Sequence, residues 1–321
     1  NSPNVAAQAL NQERSSVLLE ATATYNTSIS DLDLNMVAGT TYEEFQFRGF
    51  NALGEGFFTS GISVDRLQGG FDSLVAIGSS RVQSQLASQF FRVNSTYKNK
   101  LLITASIRRD GSSRFGENNK WGIFPSAAIG YKLHEGIALP SFVNQLKVRG
   151  SYGISGNNVS SNYLSLNGYE FFTFTNPDTG QEQQGIRQVR DANPDLKWET
   201  TTQLNIGIDY SLFDARVTGS IDYFHKDTDD LIASLNTAGS TGGTGRIVEN
   251  SARMINEGIE FTISTINIEK PNFTWNTDFQ FATLRNEVKD LGNRENIRNG
   301  NLFASTFTIT QPGQPIGSYY M

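Results

Sequence analysis

The 321-residue chain carries a formal net charge of −6, with 18% charged and 11% aromatic residues, and it contains no cysteine. The mild acidity argues against a nucleic-acid-binding protein, and the lack of cysteine excludes disulfides and thiolate metal sites. Because no run approaches the roughly 18 apolar residues of a transmembrane helix, the composition fits either a soluble all-β protein or a membrane β-barrel.

Apolar and polar residues alternate with a period of two from Val17 onward, which predicts β-strands with one apolar and one polar face. For example, Ile206 and Ile208 share one face, whereas Asn205 and Asp209 lie on the other. We count about ten such segments. The clearest, in chain order, are residues 101–107, 146–152, 198–210, 217–223, 259–263 and 273–281.

Strand length and aromatic placement favour the membrane barrel. The segments run to roughly 10–13 residues, whereas strands of soluble proteins average about 5–6. Trp198 and Tyr210 end one apolar row, and Trp121 and Tyr131 end another. At ~3.3 Å per residue and a barrel tilt, these rows project to roughly 24–30 Å, close to the ~25 Å band between two aromatic girdles. We therefore assign Trp198 and Trp121 to a girdle.

The connections between segments alternate in length. Short ones are predicted at 28–31, 97–100, 212–215 and 268–272, with a longer one at 133–144. Long ones are predicted at 48–88, 110–119, 154–197, 227–256 and 287–314. Tight periplasmic turns and long extracellular loops are typical of outer-membrane barrels. Because lipid leaves no strand edge unpaired, the sheet is expected to close around a hydrated or plugged lumen.

Several long motifs carry a family resemblance. They are "LLITASIRRDGSSRFGENNKWGIFPSAAIGYKL" (101–133), "LKVRGSYGISGNN" (146–158), "NPDLKWETTTQLNIGIDYSLFDARVTGSIDYFHKDTDDLI" (193–232) and "GQPIGSYY" (313–320). In this order they closely resemble the SusC/RagA-type TonB-dependent outer-membrane transporters, over about residues 16–321.

The resemblance implies a 22-stranded barrel, closed by an N-terminal plug, in the outer membrane of a Gram-negative bacterium. Residues 1–321 are then part of one barrel domain that supplies about ten strands, with the plug domain and the final strands outside it. It also implies active import of glycans or peptides with a SusD-like surface lipoprotein, energised through the TonB complex, with no cofactor and no catalysis. The alternative from the residues is a soluble or surface-exposed β-protein that binds carbohydrate.

No catalytic or metal-binding residue is predicted. His134 and His225, the only histidines, are interpreted as solvated or girdle residues, since neither has ligand-spaced neighbours. "HKDTDD" (225–230) is interpreted as a solvated loop entry, because it lacks the glycine and glutamate of a calcium loop. "GSTGGTG" (239–245) lacks the Lys-Ser/Thr of a phosphate loop and is interpreted as an extracellular tip.

Aromatic residues in the longest loop are the substrate-binding candidates, because variable function is carried on loops and sugar rings pack on aromatic faces. Internal packing of the loop and contact with the lipoprotein remain alternatives. The candidates are Tyr163, Tyr169, Phe171, Phe172 and Phe174, with a weaker group at Phe45, Phe47, Phe50, Phe57 and Phe58.

Two further expectations concern the stretch 108–126. Pro125 is predicted to mark a bulge or a local break in the ladder, since proline cannot donate to it. Arg108 and Arg109 are expected to serve in the wall, paired with carboxylates of a loop or of the plug, and not to bind cargo.

Overall fold

The computed structural model describes residues 6–57, 64–70, 76–159, 161–236, 244, 246–299 and 308–319. Most of these residues lie in strands, as the period of two predicts. The strands are β1 (Ala6–Ile29), β2 (Leu32–Glu55), β3 (Ala76–Tyr97), β4 (Leu101–Ser112), β5 (Trp121–Lys132), β6 (Val143–Asn157), β7 (Gly168–Thr175), β8 (Glu182–Arg190), β9 (Glu199–Leu212), β10 (Val217–Asn236), β11 (Arg246–Lys270), β12 (Phe273–Ala282), β13 (Arg285–Asp290), β14 (Ile297–Asn299), β15 (Thr308–Thr310) and β16 (Ser318–Tyr319).

The main sheet is a meander, which confirms the expected antiparallel wall of about ten strands. Its order is β1-β2-β3-β4-β5-β6-β9-β10-β11-β12, and β13 continues beside β11. The hairpin β7–β8 and the small sheet β14-β15-β16 stand apart from it. The described residues include two short 3₁₀ helices, Val64–Gly69 and Leu133–Glu135. Among the described residues no helix is long and apolar enough to span a bilayer.

The chain divides into two compact units, residues 1–20 with 41–87 and residues 21–40 with 88–321. In the first unit, the Glu44 carboxylate accepts hydrogen bonds from Gln83 and Gln85, both at 3.0 Å. Phe57, one of the weaker aromatic candidates, is buried in this unit. Phe58 lies outside the described residues.

In the second unit the two predicted faces are confirmed. Ile206 is 49% exposed, and its register partners on the neighbouring strands are Gly150 and Tyr223. Tyr223 in turn pairs with Ile259 of β11. Gly207, one residue on, is buried on the opposite side. We call these the apolar face and the polar face.

The short connections also agree with prediction, because each is a turn of a few residues between adjacent strands. The expected strand length is wrong for β1, β2, β3, β10 and β11, which span 20–25 residues. At ~3.3 Å per residue these strands far exceed a ~25 Å apolar band. Ladder pairing therefore continues beyond the apolar rows, and much of what was expected to be loop at 227–256 is strand.

Pro125 does not mark a bulge. The β4–β5 register runs without a shift from Leu101↔Tyr131 to Gly111↔Trp121, and Pro125 pairs with Ile107 inside it. The expected break is on the other edge, where β5–β6 pairing extends only from Lys132 to Ser126, the residue after the proline. Pro125 thus lies just beyond the last β5–β6 pair, so the backbone N–H that it lacks costs no hydrogen bond of that ladder.

Candidate functional site

A network of four charged residues lies on the polar face of β6, β9 and β10. Arg149 is its centre and donates from Nε to Asp209 at 3.1 Å and from Nη2 to Asp222 at 2.7 Å. Lys147 Nζ donates to the same Asp209 carboxylate at 3.2 Å. We call Lys147, Arg149, Asp209 and Asp222 the polar-face network. It places mutually neutralising charges in the middle of the sheet, where they require water or a polar filling.

Gly207 makes this network possible. Register places it directly between Arg149 on β6 and Asp222 on β10. A Cβ at this position would lie 2.9 Å from Arg149 Cζ and closer still to Asp222 Oδ1, and real Cβ atoms hardly ever come within 3.0 Å. Because residue 207 has no side chain, the two charged groups can meet across the intervening strand.

Sequence reasoning missed the polar-face network. All four residues fall on predicted polar-face positions, which was a usable signal. Their pairing, however, depends on the register between β6, β9 and β10. Arg149 and Asp222, for example, are 73 positions apart along the chain.

The assignment of Trp198 to a girdle is wrong. β9 begins at Glu199, so Trp198 belongs to the preceding loop, and it is only 6% exposed. Its ring centroid lies 4.6 Å from Phe115 and 5.5 Å from Phe124, and Nε1 donates to the Lys120 carbonyl at 3.1 Å. We call Phe115, Phe124 and Trp198 the loop-base cluster.

Trp121 and Tyr131 keep their expected places. Both are exposed at the ends of the β5 apolar row, and Arg109 stacks over Trp121 with Cζ 4.2 Å from the ring centroid. Arg108 pairs with Asp110 of its own strand, at 2.7 Å, and donates to Ser88 Oγ at 2.9 Å. The arginines therefore serve in the wall, and the carboxylate partner of Arg108 is a strand residue.

The β4–β5 loop docks onto the segment before β9. The Gly116 amide donates to the Leu196 carbonyl at 2.9 Å, and the Asn118 amide donates to the Pro194 carbonyl at 3.2 Å. A Cβ on Gly116 would overlap the Pro194 carbonyl, so only glycine fits there. The motif at 108–126 thus joins two loops by backbone pairing and aromatic packing.

The five aromatic candidates do not form one cluster. Tyr163 lies in a turn, with φ at 62°. Tyr169 and Phe171 lie on one face of the β7–β8 hairpin and are 62% and 76% exposed. Phe172 and Phe174 lie on the other face, with ring centroids 5.8 Å apart.

The two faces of the hairpin differ in chemistry. Phe172 packs beside Gly185, and Arg187 lies over its ring with Cζ 5.6 Å from the centroid. On the opposite face, Phe171 pairs in register with Ile186, which is also exposed. The Tyr169–Phe171 face is therefore the more exposed of the two, since Phe172 and Phe174 are 36% and 40% exposed.

The base of the hairpin is held firmly. Arg190 Nη2 donates to the Tyr163 carbonyl at 2.8 Å and its Nε donates to the Leu166 carbonyl at 3.2 Å. The Asp191 amide donates to the Arg246 carbonyl of β11 at 2.9 Å. Backbone and side-chain bonds thus fix where the hairpin leaves the wall.

A second set of charged residues lies where β10, β11 and β13 pass beyond the apolar rows. The interpretation of 225–230 as a loop entry is wrong, because these residues continue β10. His225 Nδ1 lies 3.2 Å from Glu257 Oε2, and Arg253 forms an ion pair with Asp227. The set, which we call the rim cluster, is His225, Asp227, Asp229, Arg253, Glu257, Arg285, Glu287 and Lys289.

The rim cluster carries perturbed carboxylates. The hydrogen bond from Arg253 holds the pKa of Asp227 below its ordinary value. The hydrogen bond from Lys289, at 2.5 Å, likewise lowers the pKa of Glu287.

Within the described part of the chain, no three His, Asp or Glu side chains are grouped to hold a metal ion. The other histidine, His134, accepts a hydrogen bond at Nδ1 from the Leu146 amide at 3.2 Å. Residues 239–243 and 245 of the expected extracellular tip lie outside the described residues.

Comparisons with known proteins agree with this architecture. The family model described as TonB dependent receptor-like, beta-barrel matches residues 3–312. TonB-dependent receptor P3 of Formosa agariphila is 33% identical over 94% of this chain and 30% of its own length. TonB-dependent receptor SusC of Bacteroides thetaiotaomicron is 33% identical over 65% of this chain and 21% of its own length.

Among solved structures, the RagAB peptide transporter aligns with a TM-score of 0.85 and 24% identity, over 98% of this chain and 34% of that chain. The outer membrane transporter YddB from Escherichia coli aligns with a TM-score of 0.61 and 10% identity, over 97% of this chain and 38% of that chain. The chain spans less than a third of the length of these curated relatives.

Proposed function

Because this chain belongs to the TonB-dependent receptor-like β-barrel family of the bacterial outer membrane, we propose that it is part of the wall of a SusC-like nutrient importer. In this proposal residues 1–321 form one part of a single barrel domain whose plug and remaining strands lie elsewhere in the protein. The observation that carries the proposal is the two-faced sheet, with exposed apolar rows on one side and the polar-face network on the other.

The two faces suit a barrel wall and do not suit a soluble binding protein. A soluble β-sandwich buries one face of each sheet in its core. Here Ile129, Ile206 and Phe279 are about half exposed on the apolar face, which is the arrangement that lipid requires. The opposite face holds ion pairs, which suit a hydrated or plugged lumen.

The cargo that we propose is a glycan or peptide oligomer, passed from a SusD-like surface lipoprotein and imported with energy from the TonB complex. RagAB, which shares the fold, is named a peptide importer and was solved in closed-closed and open-open states. The Tyr169–Phe171 face of the β7–β8 hairpin is our candidate for cargo contact, because exposed aromatic rings stack on sugar C–H faces and on apolar peptide side chains.

Deletion of the full-length gene tests the importer. We expect the deletion strain to lose uptake of one class of fluorescently labelled oligosaccharide or oligopeptide, and complementation to restore it. Inactivating TonB should abolish the same uptake. If uptake of every labelled oligomer persists without the protein, or persists without TonB, the importer proposal is wrong.

A matched pair of variants tests the cargo contact. Tyr169→Ala with Phe171→Ala removes the exposed aromatic face, whereas Phe174→Ala alters the opposite face of the same strand. We expect the double variant to weaken cargo binding by about tenfold or more, since each of the two stacked rings that it removes contributes about 0.5–1.5 kcal/mol. Phe174→Ala should bind as the wild type does. Equal losses in the two proteins, at equal surface abundance, would contradict the assigned face.

A further inference from the structure

The β7–β8 hairpin has one free edge. It forms a sheet of two strands that stands apart from the main sheet. At its base β8 lies beside the wall, because Asp191, the residue that follows β8, forms a bridge with Ile247 of β11. β7 is therefore the strand on the side away from the wall. In the described part of the chain, no strand other than β8 pairs with it.

The register shows which backbone groups point out from this edge. Near the tip, the Asn176 amide donates to the Gln181 carbonyl at 2.8 Å, so these two residues form a hydrogen-bonded pair. Along an antiparallel ladder such pairs alternate with pairs whose N–H and C=O groups point away from the partner strand. Tyr169, Phe171 and Thr173 lie an odd number of places before Asn176 in an unshifted register. Their N–H and C=O groups therefore point out from β7.

This edge is long and unblocked. From Tyr169 to Thr173 it extends about 13 Å, at ~3.3 Å per residue. Natural proteins protect edge strands with lysine, proline, bulges or free charges. β7 reads "GYEFFTFT", which contains no lysine, no proline and a single charge, Glu170. That charge is compensated, because Arg187 of β8 donates to it at 2.5 Å. Nothing within β7 opposes the addition of another strand.

The chemistry of the edge favours a polypeptide. N–H and C=O groups that repeat every second residue match the main chain of another extended polypeptide, whatever its side chains. A sugar chain carries hydroxyl groups but no such repeat. We propose that the free edge of β7 binds an extended peptide as a third strand of the hairpin. The proposal rests on the proposed importer function and names its cargo as peptide.

A cargo peptide suits this edge better than a protein partner of fixed sequence. Protein partners are selected by complementary charges across the interface, and the one charge of β7 is already compensated within the hairpin. Main-chain pairing instead accepts peptides of varied sequence. Successive side chains of the bound peptide would lie on alternate faces, beside Tyr169 and Phe171 on one and beside Phe172 and Phe174 on the other. The aromatic rings on both faces would favour apolar peptide side chains.

The hairpin is ordered before the peptide arrives. Arg190 holds its base through hydrogen bonds to the Tyr163 and Leu166 carbonyls, and the ladder with β8 keeps β7 extended. Only the peptide therefore loses conformational freedom on binding, which lowers the cost of association.

The experiment uses the full-length protein in mild detergent, without the lipoprotein, and measures binding by fluorescence anisotropy. The first probe is a labelled peptide of alternating threonine and valine with a lysine at each end, long enough to span β7. The second is the same peptide with its backbone N–H groups methylated. We expect the wild type to bind the methylated peptide at least about tenfold more weakly, because it cannot donate to the edge. Equal binding of the two peptides would overturn the proposal.

A matched pair of proline variants locates the edge. Thr173→Pro removes an outward N–H and spares the ladder with β8, since proline is tolerated where the N–H faces solvent. Gln184→Pro is the control, because Gln184 is the register partner of Thr173 and its N–H points out from the opposite edge of the hairpin. We expect Thr173→Pro to weaken binding of the unmethylated peptide about tenfold, and Gln184→Pro to bind it as the wild type does.

The remaining outcomes separate the other occupants. Equal peptide binding by the two proline variants would overturn the proposal. If Thr173→Pro binds peptide normally but loses the co-purifying lipoprotein, or changes the oligomeric state, the edge belongs to that protein partner and the peptide assignment is wrong.

Failure of this proposal is distinguishable from failure of the importer. If Thr173→Pro binds peptide as the wild type does while TonB-dependent uptake of an oligosaccharide persists, the importer stands and the peptide assignment is wrong. If peptide binding depends on the edge but uptake does not require TonB, the importer proposal is wrong and the peptide-binding edge stands.

Discussion

Replacing Gly207 with alanine should break the polar-face network. The added Cβ would lie 2.9 Å from Arg149 Cζ and closer to Asp222 Oδ1, which is nearer than real Cβ contacts allow. Neither neighbouring strand can yield without disturbing its ladder, so the two side chains would have to separate. The Asp222 side chain is only 11% exposed, and water would solvate the separated carboxylate poorly.

The magnitude follows from two opposing effects. A hydrogen bond to a charged group contributes about 1.5–3 kcal/mol. Alanine regains about 0.5–1 kcal/mol, because glycine loses more conformational freedom in a strand. We therefore expect Gly207→Ala to lower the free energy of unfolding by about 1–2 kcal/mol.

The assay is urea-induced unfolding of the full-length protein in detergent micelles, followed by heat-modifiable gel mobility. Gly150→Ala is the matched control, because Gly150 is the register partner of Ile206 and its added Cβ would meet only the Asn205 carbonyl oxygen, at 3.9 Å. It should be neutral or slightly stabilising. In an Asp222→Ala background the cost of Gly207→Ala should shrink, because only the close contact with Arg149 Cζ remains. An undiminished cost without Asp222, or an equal cost at Gly150, would refute the reasoning.

Three further predictions concern the membrane band, the loops and pH. Phe279→Arg should impair membrane assembly, at a cost of about 2–4 kcal/mol near the midplane, whereas Gln280→Arg on the polar face should assemble, as outer-membrane fractionation would show; equal defects would reverse the face assignment. Trp198→Ala should destabilise the loop base by about 3–5 kcal/mol and admit protease at the cell surface, and Trp121→Ala should leave the same loops resistant. Because the pKa of Asp227 is lowered in the folded protein, its stabilising contribution is complete above its unfolded value of about 3.9 and is lost as pH falls below that. Acid titration of Asp227→Asn should accordingly show a shallower loss of stability below about pH 4 than the wild type, and identical acid titrations would contradict this account.

The wall could be predicted from sequence because its signal is local. A period of two and a few turn residues assign Ile206 to one face and Gly207 to the other, whatever the rest of the chain does. The same period separates Tyr169 and Phe171 from Phe172 and Phe174, so the division of the aromatic candidates was already present in their spacing.

The misassigned residues depend on distant partners. Trp198 continues the alternation of β9, but Phe115 and Phe124 from an earlier hairpin enclose it. Asp227 lies in a run as polar as a loop, and it is in a strand because Arg253 of β11 neutralises it there. Neither partner can be identified without the strand register.

Because hydrogen bonds hold the base of the β7–β8 hairpin, the hairpin can be replaced as a unit. Arg190 and Asp191 fix the end of the hairpin by hydrogen bonds to the Leu166 and Arg246 carbonyls. Gly168, the register partner of Arg190, marks the start of the hairpin. Because β6 pairs directly with β9 beneath it, the wall does not depend on what the hairpin contains. Grafting a foreign loop between Gly168 and Arg190 should therefore leave the wall intact. Under the proposed function, importers of this family could exchange their cargo-contact surfaces by recombination without redesigning the barrel.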